Sequence, residues 1–197
     1  DESGRDEDAL KILEAFARRF PKDPGRVDAL ARAGAVYLAK KDFKKASARY
    51  NEAYKAARKP GEKGRVLMAR ARVYEASGDM KTAAALRAKA VKALALSKTG
   101  SYEILTEAYK ELGRTYLALE NYVKSAQAFD KAMNLSTSDR EKASLGFMMG
   151  DAYQKGNILA KARDAYEQVI STYDSVWARM ARQRLDTLDL AQTAQNS

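Results

Sequence analysis

The chain has 197 residues, of which 46% are apolar and 31% are charged, and this composition is typical of a globular protein rather than a disordered one. It contains neither Cys nor His, which excludes disulfides, thiolate nucleophiles, histidine bases and the usual zinc ligand sets, so we expect no cofactor and no metal. The formal net charge is +10, and no apolar run in the sequence is long enough to cross a bilayer.

The sequence predicts helix almost throughout, because it has only 3 Pro and is dominated by Ala, Leu, Lys, Arg and Glu. We expect ten helices and no strand. Residues 1–7 are predicted to be a disordered or non-native tail, and residues 191–197 a second tail. The predicted helices span residues 8–20, 25–40, 43–58, 62–77, 80–97, 101–119, 122–135, 139–155, 158–172 and 175–190.

The connections inside the predicted helix pairs are very tight turns. An Asp or Asn side chain can accept hydrogen bonds from the free backbone amides of a first helical turn, so these residues often begin helices. Such a residue stands just before the second helix of each pair, at Asp42, Asp79, Asn121 and Asn157. The middle eight helices therefore form four antiparallel hairpins.

The four hairpins share an internal repeat. A tyrosine ends the apolar stripe of each first helix: Tyr37, Tyr74, Tyr116 and Tyr153. The residue three positions earlier is small: Gly34, Ala71, Gly113 and Gly150. The second helices carry a small residue nine positions after the tyrosine and, in most copies, an aromatic residue thirteen positions after it: Ala46, Ala83, Ser125 and Ala162, then Tyr50, Arg87, Phe129 and Tyr166. Small side chains let two helix backbones approach closely, and the larger neighbours fill the flanking space.

These positions resemble the tetratricopeptide repeat, and the best copy has Leu30, Gly34, Tyr37, Ala46, Tyr50 and Ala53. The tyrosines are 37, 42 and 37 residues apart, and the copies depart from the pattern at Ala71, Arg87 and Val169. The resemblance implies an all-α solenoid, a superhelix of stacked hairpins with about four full repeats, an N-terminal half repeat and a C-terminal capping helix. The expected single array covers residues 8–190: half repeat 8–24, repeats 25–60, 62–98, 101–137 and 139–173, and capping helix 175–190.

The two ends of the chain carry a narrower resemblance. Residues 10–24 look like the Phe-Pro-x-x-Pro helix endings of bacterial envelope repeat proteins. Residues 161–188 are similar to the end of the Tol-Pal-associated cell-division coordinator and to the lipoprotein component of the outer-membrane β-barrel assembly machinery, although Tyr173-Asp174 replaces their usual Tyr-Pro. This resemblance implies a periplasmic or cell-envelope location and a role in envelope assembly or division, with the cytoplasm as the alternative.

The repeat family lines a concave groove with the first helix of each hairpin, and the resemblance implies the same surface here. Aligned on the tyrosines, the predicted groove contains Arg65, Met68, Arg72, Lys110, Arg114, Leu117, Phe147 and Asp151. Guanidinium groups bind carboxylates through paired hydrogen bonds, so we expect an extended or helical protein segment with acidic groups. The alternative is that Glu75, Glu107 or Asp151 pairs with these cations and leaves no net site.

At both ends of the predicted array, the apolar face of the terminal helix needs a neighbour to pack against. Trp177 is predicted to seal the last hairpin as part of the capping helix, and the alternative is an exposed docking aromatic. The first helix has an apolar side that would pack on two neighbours: Leu10, Leu13, Phe16, Ala17 and Phe20. Either further repeats precede it, or the half repeat self-associates with another copy.

The predicted function is that of a non-enzymatic scaffold for protein partners. The alternative is an RNA- or nucleic-acid-binding repeat, because residues 9–98 hold 23 Lys and Arg against 8 Asp and Glu, a net +15. We do not expect nucleic acid as the partner, since Tyr50 and Tyr54 follow core spacing and no base-reading module is present. We expect no enzyme, because no carboxylate pair is placed in a dry pocket.

Overall fold

The computed structural model describes residues 2–97 and 102–195, and the side chains of residues 6–97 and 102–190. Over those residues the chain forms ten α-helices and no strand. The helices are α1 Glu2–Arg19, α2 Arg26–Ala39, α3 Phe43–Ala56, α4 Pro60–Ala76, α5 Met80–Ala95, α6 Tyr102–Ala118, α7 Tyr122–Leu135, α8 Asp139–Lys155, α9 Leu159–Thr172 and α10 Val176–Gln195. They confirm the predicted all-helical fold class.

The chain divides into two compact units, and the single array over residues 8–190 stays a prediction. The first unit, residues 1–100, contains α1 and the hairpins α2–α3 and α4–α5. The second unit, residues 101–197, contains the hairpins α6–α7 and α8–α9 and the final helix α10. No described helix combines the length and the apolar character needed to cross a membrane.

The first and last helices are longer than predicted, because α1 begins at Glu2 rather than residue 8 and α10 continues to Gln195 rather than residue 190. The Glu7 carboxylate lies 3.8 Å from the Lys40 ammonium at the end of α2. At the other terminus, Asp189 of α10 pairs at 2.5 Å with Arg163 of α9.

The hairpin turns follow one design. In the first three hairpins, the N-cap side chain accepts a hydrogen bond from a backbone amide in the first turn of the second helix. The pairs are Asp42 with Lys45 at 3.0 Å, Asp79 with Thr82 at 2.9 Å and Asn121 with Lys124 at 3.4 Å. The residue before each cap is left-handed, and each cap amide donates to the carbonyl of the repeat tyrosine five residues earlier.

The prediction that Asn157 caps α9 is wrong. Ile158 is the residue whose amide donates to the Tyr153 carbonyl, and it holds the cap position without a side-chain hydrogen bond. Asn157 instead takes the left-handed position, with φ of 55°. Asn tolerates that conformation better than most residues, which explains its place one residue earlier in the turn.

The small and aromatic repeat positions meet inside each hairpin. A Cβ built on Gly34 would lie 3.0 Å from the Tyr50 ring, and one built on Gly113 would lie 2.7 Å from the Phe129 ring. The rings of Tyr50 and Phe129 are buried, so they pack directly against the glycine backbone. Ser125, at the small position of the third repeat, donates a 2.8 Å hydrogen bond to the Gly113 carbonyl and ties the two helices together.

The second repeat replaces the ring with an ion pair. Arg87 stands at the aromatic position, its side chain is only 3% exposed, and its Nη2 donates to the Glu75 carboxylate at 2.5 Å. Ala71 takes the place of the glycine and is fully buried. This hairpin therefore has an ion pair at the position where the other three place a flat ring on a bare glycine backbone.

A cation lies over the ring of each of the four repeat tyrosines. Lys45, Lys124 and Lys161 each lie 5.4 to 5.7 Å from the centre of the tyrosine ring of the same hairpin. In the second repeat Thr82 occupies the matching position, and Arg70 lies 5.7 Å from the Tyr74 ring instead. Such contacts contribute roughly 0.5–1 kcal/mol each at exposed sites. These contacts give Lys45, Lys124 and Lys161 a structural role that the sequence pattern does not indicate.

A partly buried carboxylate docks α1 onto the first hairpin. The Glu14 carboxylate accepts hydrogen bonds from the Tyr37 hydroxyl at 3.0 Å and from Arg49 Nε at 2.9 Å. Burial by itself raises the pKa of Glu14, but the hydrogen bonds from Arg49 and Tyr37 outweigh it and hold that pKa below its ordinary value of 4.5. The repeat tyrosine of the first hairpin therefore also fastens the half repeat.

We expect Glu14→Gln to lower the free energy of unfolding by about 1–2 kcal/mol near neutral pH, because two hydrogen bonds to a charged acceptor are weakened. A carboxylate with a lowered pKa stabilises the fold above its unfolded pKa and loses that effect as the pH falls through the folded value. The difference between wild type and Glu14→Gln should therefore shrink below about pH 4.5. Urea denaturation followed by circular dichroism, with amide exchange of α1, measures it.

Glu7→Gln is the matched control, because the Glu7 carboxylate is largely exposed and lies at the longer distance of 3.8 Å from Lys40. It should change stability by no more than a few tenths of a kcal/mol. Equal effects of the two substitutions would show that Glu14 does not dock α1.

Candidate functional site

In the first unit, α2 and α4 line a pocket of about 350 Å³. Its wall includes Val27, Asp28, Ala31, Arg65, Val66 and Ala69. The Asp28 carboxylate is paired with Arg32 at 2.7 Å, and the Glu62 carboxylate at the pocket edge accepts the backbone amides of Arg58 and Lys59. Both nearby carboxylates are therefore engaged elsewhere.

Arg65 is exposed at this pocket and has no ion-pair partner among the residues that the structure describes. Arg72 lies on the same side of α4, two turns further along and about 10 Å away in axial rise, and it is also exposed. Met68 between them is partly buried and packs on the cluster of Leu67 and Ala71. Of the three predicted groove residues in this unit, the two arginines are open to solvent and Met68 is largely structural.

In the second unit, α6, α8 and α10 line a pocket of about 310 Å³. Its wall includes Lys110, Arg114, Arg140, Met148, Val176 and Trp177. A second pocket of about 460 Å³ adjoins it, formed by the loop between α9 and α10 and the start of α8. Arg140, Val176 and Trp177 line both pockets, so the two are continuous at these side chains.

Lys110 is already ion-paired with two carboxylates of the second unit. Its ammonium lies 2.6 Å from the Glu107 carboxylate and 3.1 Å from that of Glu141 on α8, and its side chain is 19% exposed. Burial by itself lowers the pKa of Lys110, but hydrogen bonds to both carboxylates outweigh it and raise that pKa above the ordinary value. The hydroxyl of Ser136, together with Lys110, lowers the pKa of Glu141 against the opposing effect of burial. For Lys110 the paired alternative is correct, and the residue joins α6 to α8.

Arg114 differs from Lys110 although it lies one turn further along the same helix. It is exposed, lines the same pocket, and has no ion-pair partner in the described part of the chain. Leu117 is half-buried on the same helix. Arg114 is thus the cation of the second unit's predicted set that is open to an anionic group.

The placement of Phe147 is a correction. The sequence assigned it to the groove, but the residue is 7% exposed, and its ring lies 5.7 Å from that of Tyr166 and 5.5 Å from that of Trp177. Phe147 therefore belongs to the core between α8, α9 and α10. Asp151 on the same helix pairs with Lys155 at 3.1 Å and with Arg184 of α10 at 3.7 Å, so it too fastens the last helix.

Trp177 packs on the last hairpin as predicted for a cap, and it is also partly exposed. Its ring packs against Phe147 and the cluster around Ala143, Ala178 and Ala181, as a cap on the α8–α9 hairpin would. The residue is only partly buried, and it lines both pockets of the second unit. Trp177 thus presents a firmly supported aromatic surface.

Several lining residues of this pocket lie outside the predicted groove set, among them Arg140, Met148 and Val176. Counted from the repeat tyrosine, Ser144 of α8 matches Asp28 of α2, and Met148 lies one turn after Ser144, so helical periodicity was the available signal for Met148. Nothing in the sequence pattern indicates that the start of α8 and the start of α10 converge at Arg140 and Val176.

At the other end of the chain, the apolar side of α1 is only partly covered within the first unit. Leu10 and Ala17 are buried, Leu13 and Phe16 are half-buried, and Phe20 is exposed. Whether upstream repeats or a second copy covers the rest stays a prediction.

Neither a protein-family model nor a curated protein sequence matches the chain. Solved structures do match it. BtubC from P. vanneervenii is 16% identical with a TM-score of 0.66, covering 97% of this chain and 92% of its own. The repeats of a putative kinesin light chain from Podosopora anserina are 18% identical with a TM-score of 0.63, covering 86% and 87%. A tetratricopeptide repeat protein from Parabacteroides merdae is 18% identical with a TM-score of 0.62, covering 98% and 70%. These likenesses confirm the predicted helical-repeat fold.

Proposed function

We propose that the protein is a non-enzymatic scaffold that binds acidic segments of a partner protein at the first helices within each of its two units. The observation that carries this proposal is that the side chains of Arg65 and Arg114 are exposed and unpaired among the described residues. Each guanidinium lies at a pocket lined by first helices, is exposed, and lacks a carboxylate partner within the described residues. Tetratricopeptide-type repeats with such surfaces are suited to hold extended or helical segments.

The chemistry of the two pockets favours carboxylates with apolar neighbours. A guanidinium presents paired N–H donors that match a carboxylate, and Val66 or Met148 offers apolar wall beside it. A single exposed ion pair contributes only about 0–1 kcal/mol, so useful affinity requires several acidic groups on one partner. The envelope location and a role in assembly or division rest on the resemblance of the terminal segments, and we retain them as part of the proposal.

The test is fluorescence anisotropy of a labelled synthetic peptide that contains several Glu among Leu, Ala and Ser. We expect the double substitution Arg65→Glu and Arg114→Glu to weaken binding by about tenfold or more, since each site then repels the carboxylate it bound. A peptide with Lys in place of Glu should not bind. Unchanged helical content by circular dichroism would show that the effect is not one of folding.

The matched control is Lys55→Glu with Lys131→Glu, which makes the same change of charge on exposed faces of α3 and α7. If both double variants weaken binding equally, only the net charge matters and the proposed surface is wrong. Single-stranded RNA is the second probe. Tight RNA binding that falls steeply with salt would favour the nucleic-acid alternative, although the buried Tyr50 ring offers no face for stacking.

A further inference from the structure

We infer that the joined pockets of the second unit form one composite anchor, in which Arg140 binds a carboxylate and the wall of Trp177 and Val176 takes an adjacent large apolar side chain of the same acidic segment. This rests on the proposed function and specifies one of its sites. The starting observation is geometric: Arg140, Val176 and Trp177 are shared by both pockets, so one ligand contacts all three from either side.

The guanidinium of Arg140 is the available charge at this junction. Arg140 is exposed and has no ion-pair partner among the described residues. Two of the three nearby carboxylates are engaged: Glu141 accepts the Ser136 hydroxyl at 2.8 Å and pairs with Lys110, and Asp139 lies 3.9 Å from the Lys142 ammonium. The third, Asp174, lines the larger pocket but forms no ion pair with Arg140. An incoming carboxylate would therefore find a donor without having to displace an existing partner.

The apolar part of the anchor is both exposed and supported. Val176 is the first residue of α10, it is 49% exposed, and it lines both pockets. Trp177 is held from behind by Phe147, with the ring centres 5.5 Å apart. An aromatic wall that is already fixed loses little conformational entropy on binding, which is the usual property of a strong anchor.

The loop that shapes the larger pocket is tied by hydrogen bonds. The Tyr173 amide donates to the Val169 carbonyl at 3.1 Å, the Ala178 amide donates to the Ser175 hydroxyl at 3.2 Å, and the Arg179 amide donates to the Ser175 carbonyl at 3.2 Å. With about 460 Å³ beside Trp177, the pocket has room for a leucine- or phenylalanine-sized side chain. The segment it fits has a large apolar residue with an acidic residue beside it.

Trp177 is the only tryptophan in the chain, so its fluorescence reports on this anchor directly. The probe is a synthetic peptide with leucine between two glutamates in a Ser-Ala background and no tryptophan. We expect a saturable change in Trp177 emission, a roughly tenfold weaker affinity for Arg140→Gln, and a similar loss for Val176→Ser. Replacing the peptide leucine by serine should weaken binding to the wild type comparably.

Arg182→Gln is the control, since Arg182 is exposed on α10 and lines neither pocket. It should bind like the wild type. Peptide binding that depends on Arg65 and Arg114 but leaves Trp177 emission and the Arg140→Gln affinity unchanged would overturn the anchor and leave the proposed function intact. Failure of the peptide to bind the wild type at all would overturn both.

Discussion

Replacing Gly150 with leucine is expected to lower the free energy of unfolding of the second unit by about 3 kcal/mol or more. A Cβ at this position would lie 2.5 Å from Cε1 and 2.7 Å from Cδ1 of Tyr166. The Tyr166 ring cannot move aside freely, because it is fully buried and its hydroxyl donates to Gln154 at 2.8 Å. Urea denaturation followed by Trp177 fluorescence measures the loss in this unit.

Ala160→Leu is the control, because Ala160 is exposed on α9 and the added side chain meets solvent. Its effect should be within about 0.5 kcal/mol. A double-substitution cycle gives a sharper answer. Gly150→Ala and Tyr166→Leu should each destabilise alone, but together they should cost less than their sum, since the new methyl group enters space vacated by the ring. Strict additivity would show that the two positions do not contact each other.

Replacing Arg87 with alanine is expected to cost about 3 kcal/mol. The side chain is 3% exposed, so truncation leaves a cavity where other hairpins hold a ring, and Glu75 loses a charged partner. Because the Glu75 side chain is 44% exposed, its carboxylate can regain water, and most of the loss comes from packing. Circular dichroism during urea denaturation reports on the first unit, and Lys89→Ala on the exposed face of α5 should have little effect.

The second repeat also allows an experiment that restores the small-and-aromatic pair found in the other hairpins. Arg87→Tyr alone should destabilise, because the Ala71 methyl group occupies the space against which the rings of the other repeats pack. Adding Ala71→Gly restores the bare backbone found at Gly34, Gly113 and Gly150, and should recover at least about 1 kcal/mol of the loss. If the double variant is no more stable than Arg87→Tyr, the pairing of small and aromatic positions does not govern this hairpin.

The predicted surface residues show where periodicity stops being informative. Aligning the first helices on their tyrosines placed Lys110, Arg114 and Phe147 on one inward side. The structure leaves Arg114 open but pairs Lys110 with Glu141 and buries Phe147 against Trp177. Helical spacing defines a side of a helix, but the neighbouring helix decides which part of that side is covered.

The hairpin turns also contain features that residue type predicts and one feature that only the structure decides. Asp42, Asp79 and Asn121 cap the helices that follow them, as their residue type indicates, because a cap needs only its own side chain and the next few amides. Asn157 suits both the cap and the left-handed position before it, and its residue type does not distinguish the two. The spacing from Tyr153, through the bond from Ile158 to the tyrosine carbonyl, settles which one it takes.

The amino-acid order by itself determined the helices and their pairing into hairpins, since both arise between residues close in the chain. Tertiary structure alone decided the partners of Glu14, Lys110 and Asp151, the coverage of Phe147, and the meeting of Arg140 with Trp177. The physical reason is that charge pairing and solvent exposure depend on distances between side chains far apart in sequence, and the rotation of one helix against the next sets those distances.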